Sequence, residues 1–178
     1  MTARDQEEYT ALRSTIRERG TTRVWIFVIG MAAWAAVLVA TVALAAPPAG
    51  MLIPLVVLAS TFEAVFALHV GVERIGRYIQ VFYEEEGTPG WETVAMTFGR
   101  PAGGVRTDAL FSVPFALAAA MNIVPGLLVG PTREELIFLA GAHALFLLRL
   151  VAARAGAGRQ RAIDLERFRN MKREMSGR

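Results

Sequence analysis

Three polar residues, Glu63, Asn122 and His143, interrupt long runs of Ala, Val, Leu, Ile and Phe. In such surroundings a polar side chain is costly, so it pairs with another polar group or serves a pathway. Counted at ~1.5 Å per helical residue from the outer ends of their runs, Glu63 lies ~18 Å deep, Asn122 ~12 Å and His143 ~14 Å. Ser60 falls at a similar level. Matched depth predicts that Glu63, Asn122 and His143 meet near the bilayer midplane, directly or through one water. A carboxylate, an amide and an imidazole so placed have two uses. One is a hydrogen-bonded clasp that fixes helix order; the other is a station for a proton or ion. The clasp is the favoured reading, because a single carboxylate with no further acidic positions makes a thin relay.

The remaining chemistry is sparse. His69, the only other histidine, lies ~13 Å deeper than His143 on the same ruler. Axial ligands of one haem iron share a depth, so these two do not form a bis-histidine site within one bundle. The expected partner of His69 is Glu73, one helical turn on. The chain has no cysteine, which removes disulfides, thiolate metal sites and a thiol nucleophile. Its one lysine, Lys172, lies in the polar tail, so no Schiff-base lysine sits within an apolar run. Nucleophile elbows, Walker loops and zinc-protease motifs are absent. The expectation is a protein that is not an enzyme and holds no cofactor and no metal. Nor does a net charge of +3, without a basic face or known module, point to a nucleic-acid partner.

The elements that must position these residues follow from how 54% hydrophobic and 20% charged residues are distributed. They segregate: charge lies at 1–23, 73–108 and 149–178, with apolar runs between. This predicts an all-α, four-transmembrane-helix bundle with amphipathic helical extensions, its partner in the first place the lipid bilayer. The first span is 24–46, followed by a Pro47-Pro48-Ala49-Gly50 turn that sends the second straight back. A 23-residue run behind a mixed-charge tail is expected to be a retained span rather than a cleaved signal. The second span starts at Met51, the third runs from Ala109 to about Val129, and the fourth from Thr132 to Ala153. Pro125 is expected to kink or fray the third, and Thr132 with Glu135 reads as a capping box for the fourth. The resulting segments are an N-terminal amphipathic helix (1–23), a hairpin (24–72), a cytoplasmic segment (73–108), a second hairpin (109–154) and a basic C-terminal helix (155–178).

Of the 19 Lys and Arg residues, all but Arg133 fall in the tails or the 73–108 segment and Arg149 beside them. By the positive-inside rule both termini face the cytoplasm, as for a multi-pass inner-membrane protein. The polar segments carry apolar stripes at helical spacing: Tyr9, Leu12 and Ile16 on a helix ended by Gly20; Ile75, Ile79 and Phe82 on an extension of the second span; Leu165 and Phe168 beyond a Gly156–Gly158 hinge. Burial of these stripes against one another is the first expectation. The functional alternative is an interaction surface of Ile75, Ile79, Phe82, Leu165, Phe168, Arg161 and Arg169. It would take a protein partner, a second copy of the chain, or anionic lipid at the C-terminal helix. Glu84, Glu85 and Glu86 end a helix where its dipole disfavours negative charge, and Arg161, Arg167, Arg169 and Arg173 are the expected compensation. Two functions follow: an accessory or scaffold protein binding through its helices, or a small oligomeric ion- or proton-linked transporter using the Glu63, Asn122 and His143 level.

Overall fold

A computed structural model describes residues 2–84, 90–98 and 109–177, the side chains of 96–98 and 109–111 apart. Glu85, Glu86, the 99–104 stretch and the side chains of Met96 and Phe98 lie outside the described residues. Among those described, regular structure is entirely helical: α1 (Ala3–Ala43), a 3-10 turn (Pro48–Met51), α2 (Leu52–Phe82), α3 (Trp91–Phe98), α4 (Ala109–Leu128) and α5 (Arg133–Ser176). Three of them, α1, the turn with α2, and α5, are long and apolar enough to cross a membrane. The described apolar stretch of α4 is shorter, Ser112–Leu128.

Helix starts obey local rules. Thr2 and Asp5 cap α1 reciprocally, with Asp5 N–H donating to Thr2 Oγ1 (3.2 Å) and Thr2 N–H to Asp5 Oδ2 (2.7 Å). The expected Thr132–Glu135 box forms at α5, at 3.3 and 2.9 Å. After α1, Ala45 adopts a positive φ of 50° and the prolines prevent continuation.

Two expected breaks are absent. α1 runs through Gly20, and α5 runs through Gly156 and Gly158. An interior glycine costs a helix only ~1 kcal/mol relative to alanine, less than good helix formers on both sides supply together. α4 likewise continues through Pro114 and Pro125 to Leu128.

The contacts group into two compact units. One, here the apolar unit, is Val24–Phe66 with Asp108–Arg154; the other, the polar unit, is Met1–Arg23, Ala67–Thr107 and Ala155–Arg178. In the apolar unit Phe62 is the hub, edge-on to Phe115 (5.3 Å between centroids) and Phe146 (6.1 Å), with Leu58, Val65, Ala118, Ala119 and Leu150 around it. Gly30 lets α1 approach α2: a Cβ there would lie 2.1 Å from Thr61 Cγ2. Gly126 does the same against Leu139 and Met51. The alanines at 32, 36 and 40, a small-residue row suited to close packing, are instead exposed.

The polar unit packs the half-buried aromatic residues of its helices against one another. Tyr78 packs on Phe82 (4.6 Å) and Phe168 (5.6 Å), Tyr9 packs on Tyr83 (5.6 Å), and Ile79 is fully buried.

Candidate functional site

The apolar unit contains a closed polar knot. Asn122 is wholly buried and His143 nearly so. The Asn122 amide donates to Met51 carbonyl oxygen (2.8 Å) and to His143 Nε2 (3.1 Å), while its Oδ1 accepts from Trp34 Nε1 (3.1 Å). His143 Nδ1 lies 2.8 Å from Leu139 carbonyl oxygen. A carbonyl only accepts, so Nδ1 carries the proton and Nε2 is the acceptor. Flipping the amide would set its NH₂ against the indole N–H, so the orientation is fixed by the network. Every polar group of the knot is thereby matched, with the imidazole neutral. It ties α1, the 3-10 turn, α4 and α5 together.

Glu63 is not part of it. The expectation that Glu63 joins Asn122 and His143 is corrected: its side chain is half-exposed and chelated by Arg149, Nε to Oε1 at 2.8 Å and Nη2 to Oε2 at 2.8 Å. The reason is azimuth, not depth. Leu55, Leu58, Phe62 and Val65 face the core of the unit, and Glu63, one residue beyond Phe62, is turned ~100° away from it. On α5 the core face holds His143, Phe146, Leu150 and Ala153, and Arg149 stands beside it by the same step. The guanidinium lies 5.4 Å from the Phe66 ring centre and 6.0 Å from that of Phe62.

The polar unit holds an ionic network built on Arg77, which is 1% exposed. Arg77 donates to Glu73 (2.7 Å) and Asp164 (3.2 Å). Glu73 also accepts from Arg161 Nε and Nη2, and Asp164 accepts from Gln160 (2.8 Å) with Arg74 at 3.5 Å. His69 Nε2 stands 3.6 Å from Glu73, its expected partner, while Arg23 Nη1 lies 2.9 Å from Nδ1. Arginine only donates, so Nδ1 accepts and Nε2 carries the proton toward Glu73. Among the described residues, buried Arg77 Nε and Gln80 Oε1 have no hydrogen-bond partner.

The proposed interaction residues divide. Ile79, Phe82 and Phe168 pack within the unit and Arg161 is held by Glu73, so these four are engaged internally. Ile75 and Leu165 are half-buried, and Arg169 is exposed. The compensation expected for Glu84 comes from elsewhere: its carboxylate accepts the backbone N–H groups of Glu92 (2.7 Å) and Thr93 (2.9 Å), capping α3 at its positive end. Burial and a hydrogen bond with the Glu8 carboxylate push the Tyr83 phenol up to about 12; Tyr78, which donates to Glu8 at 2.8 Å, is raised for the same reasons.

Sequence reasoning passed over Trp34, Arg77, Asp164 and the glycines at 30 and 126. Trp34 left a usable signal, an indole N–H far inside an apolar run that must find an acceptor. Compared with family models, curated proteins and solved structures, the chain matches none of them.

Proposed function

We propose that this is a four-span inner-membrane protein with both termini in the cytoplasm, acting as an accessory or scaffold that binds its partners through its helices. α4, with 20 residues, supplies the fourth crossing at ~1.5 Å per residue. The distribution of arginine supplies the orientation.

One observation carries the choice of binding over transport. The Trp34–Asn122–His143 knot is saturated by its own partners, and the ionised pair of the same unit, Glu63–Arg149, is turned outward. A conducting route needs polar groups strung along an interior. Here the interior group is closed and the charged group is on the flank.

Reconstitution in vesicles tests the reading. Purified protein is expected to pass neither protons nor alkali cations above the rate of empty vesicles, and Glu63→Gln is expected to change stability with no effect on flux. A flux abolished by Glu63→Gln or His143→Phe would overturn it in favour of the transporter. Reporter fusions placing either terminus outside would overturn the topology.

A further inference from the structure

The Glu63–Arg149 pair is unusual in where it faces. Glu63 lies ~17 Å along α2 from Leu52, near the middle of the apolar run of that helix, and Arg149 stands on α5 four residues before the expected end of the fourth span. Yet the two side chains are 47% and 43% exposed. Its bonding is also incomplete. A guanidinium offers five N–H groups and a carboxylate about four acceptor sites. The fork between them uses two of each. The remaining groups lie on the exposed flank of the unit; set in a membrane, such unmatched hydrogen-bonding capacity costs several kcal/mol per group. Around the pair the surface is apolar and partly small: Val56 and Ser60 on α2, Leu145 and Ala152 on α5, all exposed.

We propose that this face joins two copies of the chain in the membrane, the two ion pairs closing across a two-fold axis into a four-charge ring. The inference rests on the membrane-spanning, binding reading and names one partner for it. Charge complementarity selects the occupant. An adjacent plus and minus form a self-complementary patch: rotated by 180°, Arg149 of one copy meets Glu63 of the other, twice over. Each arginine then spends further N–H groups on the partner's carboxylate, and each carboxylate fills its open acceptor sites. A lipid phosphate satisfies only Arg149 and is repelled by Glu63. Val56 and Ser60, seven and three residues before Glu63, continue its line along α2 as an interhelical seam.

The absence of cysteine gives a clean test. Ser60→Cys, beside the pair, is expected to crosslink as a dimer in native membranes; Leu117→Cys, exposed on α4, is not. Glu63→Arg and Arg149→Glu, differently tagged, should each lose self-association by about tenfold or more, as when one partner of a desolvated interfacial charge pair is replaced. Co-expressed, the two should capture each other, because one face is doubly positive and the other doubly negative. If either single variant does not accumulate, the Glu63→Arg/Arg149→Glu double swap carries the test, and with Ser60→Cys it should crosslink as the parent does.

Crosslinking equal at 60 and 117, or unchanged by Glu63→Arg, would overturn the proposal. So would a monomer from which Arg149→Glu releases only a bound anionic phospholipid. A monomer that conducts nothing overturns the dimer alone, whereas flux in vesicles overturns the binding reading beneath it.

Discussion

Each unit buries one polar cluster, and the two are built on opposite principles. The knot of the apolar unit is neutral and fully matched: an amide, an indole and an imidazole share their donors and acceptors with two backbone carbonyls. The network of the polar unit is ionised, centred on a buried arginine between two carboxylates, and leaves Arg77 Nε and Gln80 Oε1 unmatched among the described residues. The contrast teaches where each kind of polar group is tolerated. Within hydrocarbon, ions are penalised most and water cannot complete a partial network. In the polar unit several charges of both signs are held together, buried or half-buried, and their directional bonds join α2 to α5.

The largest effect expected from breaking this comparison is on the ionic side. Asp164→Ala leaves Arg77 buried with one carboxylate fewer, and should cost the polar unit about 3–5 kcal/mol. Hydrogen exchange along the ends of α2 and α5 would read this as a large loss of protection. Protection in the apolar unit should change far less, and equal loss in both would show that the two clusters do not stabilise separate units.

A smaller loss is expected at the knot. His143→Phe keeps a ring in place but strands a single Asn122 N–H, at about 1–3 kcal/mol for a buried group left unmatched. Thermal unfolding in detergent should show it. An unchanged midpoint would mean that the knot orders the helices without stabilising them.

The smallest effect sharpens the contrast through pH. Because the Tyr83 phenol is held near 12 in the folded protein, its contribution is complete below the ordinary tyrosine value near 10 and lost as pH rises through 12. Absorbance titration should therefore show tyrosine ionisation extending beyond the ordinary range, from Tyr78 and, latest, Tyr83. Loss of protection in alkali should begin in the polar unit. Glu8→Gln should bring the midpoint of Tyr83 down, because the carboxylate that disfavours the phenolate is removed.

The sequence by itself determined the helical class, the apolar character of α1, α2 and α5, three of the four spans expected, and the capped start of α5, because hydropathy, prolines and capping residues act over a few neighbouring positions. It also determined that Asn122 and His143 needed partners, since an apolar run leaves a polar group none nearby. Tertiary structure decided which partners. Depth along a helix is a sum over residues and is legible in a string, whereas facing depends on how each helix is rotated against the others. That rotation separated Glu63 from Asn122 and His143 and gave it Arg149, brought in Trp34 from α1, and put Gly30 and Gly126 rather than the alanine row at close contacts. It also buried Ile79 and set Phe82 against Phe168. The continuity of α1 through Gly20 and of α5 through Gly156 and Gly158 is local in origin: nothing lies within 4 Å of a Cβ placed at any of the three, and a cost of ~1 kcal/mol at one residue is outweighed by the helix formers on either side.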